Sequence, residues 1–167
     1  MKKIIFAAIL AAFSITAFAQ SYDLENLYYN YKGEKGVVAL RIPGFVMRLA
    51  GSSADMDSEE RQLLRSMRSV QIVAIEDTEL NSRVNFVEEV DLNNLNNGYN
   101  LLLRVQDGAE DVAILTREKQ GRIRDLVVLT GGDENVMVRI RGRMNADLVD
   151  CLADVSGIGQ LKHLEGI

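Results

Sequence analysis

The sequence predicts an α+β domain: a two-layer sandwich whose mostly antiparallel sheet carries a C-terminal four-strand meander, with helices mainly on one face. Three observations predict it. Four strand-like runs follow one another at about 99–105, 111–117, 122–130 and 135–143. Their connections, Asp107-Gly108, Lys119-Gln120-Gly121 and Gly131-Gly132-Asp133, are short and offer glycine for positive φ, so successive strands fold back antiparallel. The first half shows mainly helical apolar spacing, and helices gathered beside an antiparallel sheet make two layers.

The elements follow in chain order. Leu24, Leu27, Tyr28 and Tyr31 recur at i, i+3, i+4 and i+7, the stripe of an amphipathic helix, with Asp23 at its start and Gly33 at its close. Residues 37–42 are apolar and β-branched enough for a buried strand. Pro43, the only proline, suits the first turn of a short helix running through Leu49. Residues 51–57 read as a loop. Asp57 and Glu60 have capping-box spacing and open a helix that buries Leu63, Leu64 and Met67. Residues 70–75 form a second strand. Leu80, Val84, Val87 and Asp91 mark one further helix, which ends in the Asn-rich segment 93–98. After the meander, a closing helix at about 145–155 has Asn145 as N-cap, and a tail carries Ile158, Leu161 and Leu164.

The first nineteen residues have a different purpose. Lys2 and Lys3 form a positive n-region, residues 4–16 an apolar run, and Ala17-Phe18-Ala19 a small-x-small cleavage pattern. This is the pattern of a secretory signal peptide cut before Gln20. The run falls short of the roughly 20 residues needed to span a bilayer, so it reads as an address and not an anchor. The expected product is periplasmic or secreted, with no stable membrane anchor. Residues 20–167 show no linker, repeat or low-complexity segment and read as one domain.

Charge narrows the partners. With Lys2 and Lys3 removed, 17 basic residues face 24 acidic ones, a net of −7. Bulk electrostatics and the absence of a basic run argue against nucleic acid. Cys151 stands alone, so no intramolecular disulfide is expected, and no cysteine lies near Gln20 to receive a lipid.

The stretch Gly98-Tyr99-Asn100-Leu101-Leu102-Leu103-Arg104-Val105-Gln106-Asp107-Gly108 carries a likeness that continues through 112–115, 121–129 and 136–142. The opening Tyr31-Lys32-Gly33-Glu34-Lys35-Gly36-Val37-Val38 shares it. Together these segments resemble a domain-of-unknown-function family of small exported proteins and lipoproteins from Gram-negative bacteria. The resemblance covers nearly the whole mature chain and implies fold, export and single-domain size. It implies no enzyme activity and no site residues. The chain departs from the lipoprotein members in lacking the lipid-bearing cysteine.

Few residues point to chemistry. His163, the only histidine, sits in the tail, a poor place for an oriented catalytic base. Cys151 lies among Leu148, Leu152 and Val155 beside acids, a setting for a buried and inert thiol. Asp147, Asp150 and Asp154 share a helical face but lack the compact loop of a calcium site. Gly131-Gly132-Asp133 and Gly157-Ile158-Gly159 lack the lysine and strand–loop–helix context of a phosphate loop. No metal, cofactor or catalytic residue is therefore expected.

One pattern stands above background. One strand parity collects Val136, Val138 and Ile140 with Leu101, Leu103 and Val105, a core face. The other holds Arg104, Arg122, Arg124, Arg139 and Arg141, mixed with Leu102, Leu126, Val128 and Met137. Such a face is either solvated, with arginine stems covering apolar neighbours, or a contact surface. Three functions follow. The first is a non-enzymatic envelope protein that contacts an envelope partner or itself through these arginines. The second is a binding module for a small anionic or amphiphilic ligand held by some of the same residues. A carboxylate-dependent hydrolase ranks last. A convergent arginine-flanked pocket favours the ligand; a flat open face favours the contact.

Overall fold

The computed structural model describes residues 24, 26–53, 56–95, 97–108 and 110–145. The signal peptide and the predicted closing helix and tail lie outside the described residues. Cys151, His163 and the aspartates Asp147, Asp150 and Asp154 lie outside with them. The elements are α1 (Leu27–Tyr31), β1 (Val37–Pro43), α2 (Gly44–Ser53), α3 (Ser58–Ser66), β2 (Met67–Ile75), α4 (Thr78–Asn81), α5 (Phe86–Glu89), β3 (Tyr99–Asp107), β4 (Glu110–Lys119), β5 (Arg122–Gly132) and β6 (Val136–Met144).

The six strands form one open sheet in the order β1-β2-β6-β5-β4-β3, every neighbouring pair antiparallel. Strands β3 to β6 are the predicted meander. Gln120 and Gly121 link Lys119 to its partner Arg122, both at positive φ (56° and 67°), the backbone that matches strand twist in a two-residue turn. The capping box also forms: Asp57 Oδ1 accepts from the Glu59 and Glu60 amides at 2.8 Å, and the Asp57 amide donates to Glu60 Oε2 at 3.2 Å.

Three local expectations change. Pro43 does not start a helix; it ends β1 opposite Ser69, at a sheet edge where its missing N–H breaks no inner ladder. Residues 51–53 belong to α2 and not to a loop. The helix expected through Leu80 and Asp91 splits into α4 and α5. Asn85 takes an extended backbone between them, and its Oδ1 accepts from the Val87 and Glu88 amides at 2.9 and 3.2 Å, restarting the helix. Asn135, fully buried in the turn between β5 and β6, fixes the break. Its Nδ2 donates to Val84 O at 2.9 Å, and its Oδ1 accepts from the Phe86 amide at 2.8 Å.

Apolar clusters form on both faces of the sheet. On the first, Leu24, Leu27 and Tyr28 of the α1 region and Phe86, Val87 and Val90 of the α5 region cover Val73, Met137, Val127, Leu129 and Leu115. On the second, Met47 of α2 and Leu63 and Leu64 of α3 pack towards Val70, Leu126 and Ile114. The helices thus divide between the faces, with α4 on the first through Leu80. Fully burying each large aliphatic side chain stabilises the fold by about 1.5–3 kcal/mol, so the cluster under α1 and α5 is the main anchor.

Candidate functional site

Among the described residues, the apolar cluster under the helices stops short of one end of the first face, and the sequence there turns polar. The register places one residue from each strand in a transverse row: Pro43, Ser69, Arg141, Asp125, Arg117 and Tyr99. The next row brings Arg41, Gln71 and Arg139 side by side. The regular registers set Asp125 opposite both Arg117 and Arg141, and the irregularities at Arg117/Glu118 and Ile123/Asp125 begin just beyond it and leave Arg124 without a register partner.

Asp125 is the centre of this arrangement. Its side chain is 1% exposed and collects three guanidinium groups. Arg139 Nε donates to Oδ1 at 3.0 Å, Arg141 Nε donates to the same oxygen at 3.2 Å, and Arg117 Nη2 donates to Oδ2. Tyr99 completes the group. Arg139 Nη2 donates to its hydroxyl at 2.5 Å, and the guanidinium carbons of Arg117 and Arg139 lie 5.0 and 5.9 Å from its ring centroid. Three guanidinium groups thus share this carboxylate, and Asp125 and Arg139 are fully buried. Two polar atoms in this region are buried without a hydrogen-bond partner among the described residues: Gln71 Oε1, between Arg41 and Arg139 in the register, and Arg124 Nε.

Above this end lies an open concavity of about 1060 Å³, reaching from β1 across to β4 and the turn at Asn97-Gly98. Six cations among the described residues line it: Arg41, Arg68, Arg117, Lys119, Arg124 and Arg141. Among the described residues only two carboxylates do, Glu118 and Asp125. In a protein of net charge −5 this is a marked local reversal. Acids gather elsewhere; a smaller cleft of about 380 Å³ is lined by Glu110, Asp111, Asp133 and Glu134 at the opposite strand ends.

The five arginines singled out in the sequence separate. Arg139 and Arg141 meet at Asp125, and Arg124 lines the concavity without bonding to that carboxylate. Arg104 lies beside the acidic cleft in a two-bond pair with Asp111, Nη2 to Oδ2 at 2.7 Å and Nε to Oδ1 at 3.2 Å. Hydrogen bonding to Asp111 raises the Arg104 pKa further above its ordinary value, against a smaller opposing effect of burial. Arg122 is exposed beside the Gln120-Gly121 turn and does not line the concavity. The expected mixture with Leu126 and Val128 does not hold either, because those two pair with Ile140 and Val138 on the other face. The residues that sequence reasoning missed are Arg41, Arg68, Tyr99, Arg117, Lys119 and Asp125. Asp125 alone left a signal, an acid in mid-strand among Arg124, Leu126 and Val127.

The family model "Domain of unknown function (DUF4252)" matches residues 29–150. The chain belongs to this family. No curated protein and no solved structure matches it. The DUF4252 span contains strands β1 to β6, and with them every described residue that lines the concavity. Among the described residues, no helix is long and apolar enough to cross a membrane, and no three His, Cys, Asp or Glu side chains gather in a metal-sized group.

Proposed function

We propose that this DUF4252 protein is a non-enzymatic binding module for an anionic ligand, working in the periplasm or outside the cell after cleavage before Gln20. One observation carries the reading: among the described residues, six cations and two carboxylates line a single concavity. A carboxylate or phosphate entering there would meet guanidinium forks suited to planar, two-bond recognition. Asp125 holds Arg117 and Arg141 in place beforehand, which lowers the ordering cost of binding.

A contact role is the second reading, favoured by exposed Val38 and Leu40 on edge strand β1 and exposed Phe45, Val46 and Leu49 on α2. Calorimetric titration of the purified protein with orthophosphate and sulfate, alongside its solution mass, separates the two. Saturable anion binding that weakens in Arg124→Glu supports the ligand module. No binding of either anion, with a stable dimer or larger species in solution, supports the contact role instead. Intact mass starting at Gln20 in the soluble envelope fraction is the expected result for export; retention of residues 1–19 would overturn it.

A further inference from the structure

We propose that the ligand of this concavity is an extended chain carrying several anionic groups, and not a single oxyanion. The inference rests on the anion-binding reading above and adds the ligand's shape. The lining cations do not converge on one point. Arg41 and Arg68 stand on β1 and β2, Arg141 on the adjoining β6, Arg124 on β5, and Arg117 and Lys119 on β4. With strands about 4.8 Å apart, the four steps from β1 to β4 span roughly 19 Å. Exposed charges separated by more than a screening length of about 8–10 Å scarcely feel each other at physiological salt. One oxyanion bound beside Arg124 and Arg141 would therefore leave Arg41 and Arg68 unused.

The central and outer cations also differ in state. Arg117 and Arg141 are tied to Asp125. Arg41, Arg68, Lys119 and Arg124 make no ion pair with another described residue. These four lie on both sides of β6, so the charge open to a ligand forms a track across the strands. A cavity of about 1060 Å³ is far larger than one phosphate needs, and it is open enough for a chain to continue beyond it. A linear polyanion laid across the strands meets every one of these cations; a compact anion cannot.

The test compares orthophosphate with long-chain linear polyphosphate by calorimetry at constant ionic strength, on the wild-type protein and on Arg41→Ala/Arg68→Ala. Both replaced side chains are exposed, so the fold is kept. The expected result is tighter binding of polyphosphate in the wild type, about a tenfold loss of that affinity in the double variant, and orthophosphate affinity unchanged. Equal loss for both probes, or no loss for polyphosphate, overturns the extended-chain inference while leaving a single-anion site standing. Failure of the wild type to bind either probe overturns the anion-binding reading itself, and this inference with it.

Discussion

Arg139 and Asp125 form a fully buried ion pair across β6 and β5, Nε to Oδ1 at 3.0 Å, with side-chain exposures of 2% and 1%. Their Cα atoms are not direct register partners: Asp125 stands opposite Arg141, and Arg139 opposite Val127. The pair is thus diagonal, and it lets one carboxylate serve two arginines of the same strand.

Asp125→Asn should therefore destabilise the protein strongly. Removing one partner of a buried pair costs about 3–5 kcal/mol, because the remaining charge is left in a poorly solvated place. Arg139→Met should cost less, since Asp125 keeps Arg117 and Arg141. Urea unfolding of both variants checks the order; equal losses would mean that Arg139 alone neutralises Asp125.

Glu89 should make stability depend on pH in a definite direction. Its Oε1 accepts a 2.5 Å hydrogen bond from Tyr31, while Oε2 is buried without a partner among the described residues. Burial raises its pKa above 4.5, and the tyrosine hydrogen bond opposes this without cancelling it. The folded state therefore holds the proton more tightly than the unfolded chain. The Glu89 contribution is fully present below pH 4.5 and is lost as pH rises through the folded pKa. Glu89→Gln should flatten that part of a melting-temperature profile and match or exceed the wild type at neutral pH.

Asn135→Ala should loosen the α4–α5 region. The side chain bonds Asn81, Val84 and Phe86, and truncation leaves the Phe86 amide and the Val84 carbonyl without this partner. A loss of about 1–3 kcal/mol for each buried group left unsatisfied is the relevant scale. Asn135→Asp should be worse still, because the replaced Nδ2 faces carbonyl oxygens. Thermal melts, with hydrogen exchange of the Phe86 amide, read the effect directly.

Gly131→Ala should act on α5 from a distance of 46 residues in sequence, counted from Asn85. An added Cβ would lie 1.9 Å from Asn85 Oδ1, the atom that caps α5. Displacing the cap should cost about 0.5–2 kcal/mol, the range for losing an N-cap. If Asn85→Gly, which makes room, restores most of the loss, the clash is the cause.

Sequence alone determined the elements whose cause is local. The Asp57–Glu60 capping box, the Leu24–Tyr31 stripe and the Gln120-Gly121 turn each depend on residues a few positions apart, so their spacing is legible without a fold. The antiparallel meander follows from such turns, and so does the α+β class. Tertiary structure decided what depends on partners far along the chain. The break between α4 and α5 is held by Asn135, some fifty residues downstream. Because strand side chains alternate with period two, each one-residue register irregularity reassigns faces downstream of it. The one at Leu101/Leu103 splits the expected core parity, and the one at Ile123/Asp125 takes Arg124 out of the alternation beside Asp125. Placing β1 and β2 beside β6 then brings Arg41 and Arg68 to the same concavity, a neighbourhood that no local pattern encodes.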